Sequence, residues 1–586
     1  MVDKGQLGTG GANILTGVYE IISSIDYVNQ HSLKAFLASG DALKAYDRAS
    51  TTYLDKVTER MSFPALFRAW LKMLHCNATT RLILPSGLSQ EISVSFSFRQ
   101  GDCIAGDLYC LTEEPLLGML RRMLQGLLIS NFRQKDITYM DDINILSSSE
   151  EDLVIFDEVV SKFEAQSGFM LSRDKKSKVM GLGQWQGKTD WPLNWIKSEI
   201  EIKVLGFVVC PSYQKTLERT WDVVYRGFEK TLFAWGSRCI VTLQQRISVV
   251  QKFALSKIWY VAQLLPLPNS VLKKIESRIS SFVFQGRPER LKLSELENSA
   301  EFGGLGLMCP ATKAEALFLR QSLRILSRSE ETCCRHLGFW LGSHLQDTFP
   351  NLVQLGPYAP SLYVQYPLHS AMLEVLEEGL IREEYHPKKL GEVTTKAIYQ
   401  SRIKDILLPP KVEEKFPLVD YKQLVYPRLA YKILEPESKD ILFSIVHGLI
   451  HNKNRMYQQR RVQDPYCPLI ECQGKVQDLE HLFCSCFLVK EAWTWLLSKL
   501  LENLPATPAA LARTYTNLEV LKMEFPADTL DQECTWLLGN YCRIVATTVT
   551  GRKRKLGAEG LAGRVRGGLQ NLRHRAVVQP QVFNII

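Results

Sequence analysis

With 586 residues, 46% of them hydrophobic and 23% charged, the chain has the balance of a globular protein and the length of several domains. No apolar run reaches the roughly 18 residues that a bilayer-crossing helix needs, which argues against a membrane partner. The formal charge of +9 is unevenly placed: Gly551–Ile586 holds eight Lys/Arg against Glu559 alone, so the body is nearly neutral and the tail strongly basic.

The start, MVDKGQLGTGG, has no apolar signal core, so the expected location is the nucleus, the cytoplasm or both. Fourteen cysteines in such a chain are not a disulfide framework and should be reduced and mostly buried. In chain order, the apolar run AFLA (Ala35–Ala38) reads as a strand that Asp41 closes. Lys44–Arg48 then opens a helical segment, which Asp41 could also cap. RLIL (Arg81–Leu84) and the alternating EISVSFSF (Glu91–Phe98) are expected to pair as a hairpin, the second strand half-buried. A helix should run from about Ile104 to Leu127, with Leu108, Leu111, Leu116 and Leu120 on one side and Pro115 placed to kink it.

The stretch ITYMDDINI (Ile137–Ile145) sets Asp141 beside Asp142 between apolar runs. Adjacent carboxylates repel, so they mark either a surface turn or a divalent-metal site that draws a third acid from another strand end. Asp41 is the candidate third acid. SSSEEDL (Ser147–Leu153) starts a helix with capping-box spacing from Ser148 to Glu151. Leu153, Phe156, Val160 and Phe163 continue it at helical spacing, and Gly168 ends it. Strand and helix periods interleave up to about Cys210, an α+β pattern. From Leu217 onward amphipathic helices dominate.

Near the C-terminal end, Asp464–Leu496 contains Cys467, Cys472, His481, Cys484 and Cys486. Four sulfur or nitrogen ligands suit tetrahedral Zn²⁺, and Cys467, Cys472, His481 and Cys486 can supply them, with Cys484 as a possible substitute. Buried free thiols with a capping histidine are the other reading. The basic tail reads as a nucleic-acid arm or import patch, or as a disordered end.

The ordered set GDALKAYDR, SFSFRQGDCIAGDLYCLTEEPLLGML, TYMDDINIL, FEAQSGFMLSRDKKSKVMGLG and IKVLGFVV resembles the palm of LINE-type (non-LTR) retrotransposon reverse transcriptases. FVFQGRPERLKLSELENSAEFGGLGL resembles the helical region that follows it, and the Cys/His cluster resembles the zinc-knuckle-like module of such proteins. The resemblance implies an RNA-directed DNA polymerase that uses Mg²⁺ (or Mn²⁺), template RNA, a DNA primer and dNTPs, with Zn²⁺ as a further candidate ion. It implies Asp41, Asp141 and Asp142 as the catalytic, metal-holding acids. Tyr46 would floor the sugar pocket, Gln100 and Gly101 would approach the template and incoming base, Lys175 or Lys176 would lie near the triphosphate, and Leu205-Gly206 would belong to a primer-gripping hairpin. The alternative is a catalytically inactive, retrotransposon-derived nucleic-acid-binding protein.

The expected fold is thus a reverse-transcriptase palm, an antiparallel sheet packed on helices, followed by a mainly helical thumb and connector and a small Cys/His module. The expected segments are an entry remnant at 1–35, the palm at 36–212, a thumb-like region at 213–330, a connector at 331–440, the Cys/His module at 441–505, and a helical segment with the tail at 506–586. Departures from the family pattern are Cys103, where proline is usual, and Ser39-Gly40 before Asp41. The short stretch before Asp41 reads as a truncated copy without endonuclease and with most of the fingers missing.

Overall fold

The structure, a computed structural model, describes residues 13–75, 78–94, 98–99, 101–173, 177–194, 196–238, 242–286, 291–327, 331–348, 366–381, 392–406, 410, 413, 421–502, 516–523, 531–549 and 563. Their contacts group into two units, each discontinuous in sequence. Met1–Gly227, Ile258–Val271 and Lys313–Tyr399 make the first; Phe228–Lys257, Leu272–Thr312 and Gln400–Ile586 make the second.

The first unit is built on a five-stranded sheet. In spatial order its strands are Lys197–Ser198, Lys178–Gly183, Lys34–Asp41, Asp142–Ser147 and Asp136–Tyr139. The pairs are antiparallel except for the short Lys197–Ser198 strand, which runs parallel to its neighbour. Lys34–Asp41 is central, and its run Ala35–Ala38 is buried throughout. A continuous apolar run is what a strand covered on both faces requires. Phe36 and Ala38 pack toward the helices Ala105–Met123 and Glu151–Ser167, joining Leu116, Leu120, Ile143, Ile145, Phe156, Val160 and Phe163 in one core. Each of the larger side chains contributes roughly 1.5–3 kcal/mol when fully buried. The helix Ile14–Gln30 also packs on this sheet, and the helix Thr332–Thr348 lies on it in turn.

Several local expectations change. Ile92–Val94 pairs with Ala78–Thr80, and Ile83–Leu84 turns back on Gly87–Leu88 instead of pairing with the later strand. Pro85-Ser86 is a two-residue turn, so it closes a tight hairpin on itself and leaves the next strand to find an earlier partner. Ile92 is exposed rather than half-buried. The helix expected from Ile104 to Leu127 ends at Met123. The capping box from Ser148 is not formed: the helix begins at Glu151 with no side-chain cap on its Glu150 N-cap. Asp152, in its first turn, instead accepts from the N–H groups of Gln125 and Gly126 and from the Ser147 hydroxyl. That buried carboxylate ties the helix start to a neighbouring turn, which a capping pattern cannot report. The same helix ends at Gly168 as expected, with φ +81° and the Arg48 carbonyl 2.5 Å from where a Cβ would sit.

The second unit is helical. Pro436–Val446, Lys490–Glu502 and Asp531–Val549 enclose a core of Leu442, Phe483, Trp493, Leu496, Leu537, Tyr541 and Val545. No helix among the described residues is long and apolar enough to cross a membrane.

Candidate active site and metal centre

The two aspartates of the central motif sit at a two-residue hairpin turn. Tyr139 pairs with Asp142, leaving Met140 and Asp141 as the turn, with Met140 left-handed at φ +52°. On the other side Asp142 lies directly opposite Asp41 across the antiparallel pair. Opposed residues in such a pair share a face of the sheet, with Cβ atoms about 4.5–5.5 Å apart. The Ala42 N–H donates to the Asp141 carbonyl at 3.1 Å, so the turn is pinned to the residue after Asp41. Backbone register alone thus gathers Asp41, Asp141 and Asp142 at one sheet end. All three are half-buried, open enough for solvent and substrate to reach. Asp41 does not cap the next helix, whose N-cap is Lys44.

The strand end is held from a second direction. Ser172 N–H donates to the Asp41 carbonyl at 2.9 Å and Leu43 N–H to that of Met170 at 2.7 Å. This is the segment that follows Gly168, so the glycine-ended helix delivers the chain back to the acids.

Beside the turn lies a small aromatic floor. The Tyr46 ring stacks on Tyr109 with centroids 5.1 Å apart and planes at 28°, and its hydroxyl reaches the Met140 sulfur at 3.6 Å. Burial raises the Tyr46 and Tyr109 phenols above their ordinary value, and the Asp141 carboxylate adds to both shifts. Tyr46 therefore stays neutral and within electrostatic reach of the turn. Gly106 faces the same spot: a Cβ there would lie 3.4 Å from the Met140 methyl and 3.9 Å from the Tyr46 hydroxyl. Tyr109, Met140 and Gly106 were not singled out in the sequence. Tyr109 is three residues after Gly106 on one helix face, a spacing that also fits ordinary core packing.

Gly101 takes φ +96° in an exposed turn with open space around its α-carbon, a backbone state that favours glycine. Gln100, Lys175 and Lys176 lie outside the described residues, as does the basic tail from Arg552 apart from Gly563. Leu205-Gly206 forms a two-residue turn between strands Ile202–Val204 and Phe207–Val209, both residues left-handed. Tyr260 buttresses it: its hydroxyl donates to the Leu205 carbonyl at 2.7 Å, and its ring lies 3.0 Å from a Cβ on Gly206. The signal for Tyr260 in the sequence is absent, because it comes from a distant helix.

The second unit holds the other cluster. Cys467, Cys472, His481 and Cys486 each offer a ligand atom, all within 4.8 Å of one another, and all four are buried. The Cys472 and Cys486 sulfurs are 3.7 Å apart; two thiolates on a tetrahedral zinc with Zn–S bonds of about 2.3 Å sit about 3.8 Å apart. Cys467 is placed by its N–H to the Lys475 carbonyl, Cys472 by a tight turn ending at left-handed Gln473, and Cys486 by its N–H to the His481 carbonyl. The Phe487 N–H points at the Cys472 sulfur at 3.5 Å. The His481 Nε2 is buried without a hydrogen-bond partner, which is what a ligand nitrogen looks like before its ion is counted. Burial pushes the Cys486 thiol up to about 12 and raises Cys467, so these thiols stay protonated until a cation compensates. Cys484 does not join them. Its thiol, raised by burial, feels Cys542 of the last helix instead.

Residues 11–209 match the family model described as reverse transcriptase (RNA-dependent DNA polymerase). Over 335 residues the chain is 26% identical to the uncharacterized 149 kDa protein of transposon TX1 from Xenopus laevis, a match that covers 54% of this chain and 24% of that protein. The chain thus spans about a quarter of that relative. Among solved structures, telomerase from Candida albicans in complex with a fragment of telomeric RNA is 12% identical, with 53% of this chain and 51% of that one covered and a TM-score of 0.26. Telomerase from Candida tropicalis with a similar RNA fragment gives 13%, 54%, 51% and 0.28.

Proposed function

We propose that the chain, whose residues 11–209 match the reverse-transcriptase family model and which is similar to a transposon protein, is a reverse transcriptase of the LINE (non-LTR) kind that synthesises DNA on an RNA template. The observation that carries the proposal is the register that sets Asp41 opposite Asp142 with Asp141 at the adjoining turn. Three carboxylates on one sheet end are an oxygen donor set that fits Mg²⁺ or Mn²⁺. When bound, such ions would supply the positive charge that eases attack by the primer 3′-oxygen and departure of pyrophosphate. Asp41 and Asp141 would hold the ions, with Asp142 in support.

The chain's other residues position the substrates, which is most of what phosphoryl transfer asks of a protein. Tyr46, rigid against Tyr109, would floor the sugar site and clash with a 2′-hydroxyl, so deoxynucleotides are favoured. Gln100 and Gly101 would face the template and incoming base, and Lys175 or Lys176 the triphosphate. The Leu205-Gly206 turn, braced by Tyr260, would hold the primer end. The Cys/His cluster would bind one structural Zn²⁺ and fix the fold of the second unit. The protein would work in the nucleus, the cytoplasm or both.

Primer extension tests this. The full chain with poly-rA/oligo-dT, dTTP and Mg²⁺ or Mn²⁺ should lengthen the primer, and EDTA should stop it. Binding of the template–primer without extension would leave the other reading, an inactive nucleic-acid-binding protein.

A further inference from the structure

The second unit contains an open cavity of about 510 Å³ that the polymerase reading does not use. Its size lies within the roughly 300–1,000 Å³ typical of ligand sites. Phe233, Trp235 and Phe282 line it together with Arg238, Arg246 and Arg278. We propose that this cavity holds one unpaired nucleotide of a single-stranded nucleic acid, its base stacked on the Phe233–Trp235 aromatics and its phosphates met by the arginines.

Four observations support that ligand class. Phe233 is 76% exposed at the cavity wall, where a large ring gains nothing from solvent. Trp235 is held in place by its neighbours, with Phe253 at 4.8 Å between centroids and the Arg238 guanidinium 4.4 Å from its ring centre. The helix Tyr213–Gly236 ends just before Arg238, and a cation is stabilised at that carbonyl end. The charge is also one-sided: residues 228–257 hold five Lys/Arg and the one acid Glu229. Arg278 pairs with that Glu229 at 3.2 Å, and Arg246 is drawn toward Asp440, whereas Arg238 has the Trp235 ring as its neighbour and is exposed. Rings that accept any base, beside guanidinium groups that meet phosphate, are the recognition chemistry of single strands. A purely apolar ligand would leave the exposed Arg238 cation at its edge without use, and a simple anion would leave the exposed Phe233 ring without use.

The inference does not depend on the aspartate chemistry, and its test reads binding alone. Fluorescein-labelled oligo-rU and oligo-dT of twenty nucleotides would be titrated with the full chain in EDTA at several salt concentrations. Phe233→Ala should weaken both about tenfold, as loss of one stacked base does, with the salt slope unchanged. Arg238→Ala should lower the slope of log K against log[salt] by about 0.7, the single-strand value for one phosphate contact. Phe233→Trp should restore affinity, and both exposed positions should leave the melting temperature unaltered. Affinities within twofold of the parent chain for both alanine variants would overturn the assignment. Displacement of the oligomers by free UTP at matching nucleotide concentration would overturn the strand in favour of a free nucleotide. A chain unable to extend primers answers the question equally well.

Discussion

On the proposed reading the aspartate site and the Cys/His site would each hold ions, yet they are built in opposite ways. Asp41, Asp141 and Asp142 are half-exposed carboxylates whose positions come from strand register and one turn. Cys467, Cys472, His481 and Cys486 are buried in a helical core, with protonated thiols and a histidine nitrogen that lacks a protein partner. The difference follows from the task. Ions that must meet changing substrates need accessible oxygen ligands and keep part of their water shell. An ion that holds a fold needs a closed shell of four ligands, and its binding energy then becomes folding energy.

That contrast predicts opposite responses to loss of a ligand. Asp41→Asn should leave the melting temperature nearly unchanged and cut extension by about a thousandfold or more, since a metal-stabilised charge contributes several kcal/mol to the transition state. Equal losses of stability and activity would erase the distinction. At the other site, replacing Cys472 and Cys486 together by Ser should reduce bound zinc, measured by metal analysis of the purified chain, from about one equivalent to less than about half. The second unit should lose cooperative melting, and loss of zinc without any change in melting would mark the ion as incidental.

Smaller effects sharpen the palm side of the comparison. Gly168→Ala would force a Cβ toward the Arg48 carbonyl from a left-handed backbone and should cost roughly 1–3 kcal/mol of palm stability in chemical denaturation. Tyr46→Val should raise incorporation of UTP relative to dTTP while leaving Mg²⁺ dependence in place. A ratio unmoved by the substitution would remove Tyr46 from sugar selection.

A further effect expected is on pH. Burial raises Glu20 and Asp26 to about 8 and depresses His336 and His369 to about 3. From pH 8 down to about 6.5 the folded carboxyls take up protons that the unfolded ones do not, so stability should rise as pH falls. Below about 6.5 the unfolded histidines charge while the folded ones stay neutral, which offsets the carboxyl gain. Stability of the first unit should therefore fall above pH 7 and be nearly flat between about 4.5 and 6.5. Double replacement by Leu of Asp26 and His369, which lie 3.8 Å apart, should flatten the alkaline limb.

Much of the site was legible because it is made of local signals in order. Asp41 ends an apolar run, Asp141 and Asp142 sit between two such runs, and Gly168 closes a periodic helix. Each places its own backbone, and the sheet brings the pieces together. The spacing of Cys467, Cys472, His481 and Cys486 was legible for the same reason, although spacing could not tell that Cys484 faces Cys542 of the last helix instead of the set. What the sequence could not supply were partners that meet only in three dimensions. Tyr260 bracing Leu205, Tyr109 under Tyr46 and Asp152 holding Gly126 all depend on tertiary contacts between distant segments. The hairpin register around Pro85 was misread because a closer pairing competed and alternation alone does not choose between partners.

The most direct test compares the parent chain with Asp141→Asn on poly-rA/oligo-dT at equal template–primer occupancy. Extension by the parent and its absence in the variant, with matching melting curves, is the outcome that three register-held carboxylates require. Extension by both at similar rates would contradict a role for the Asp141 turn in the chemistry.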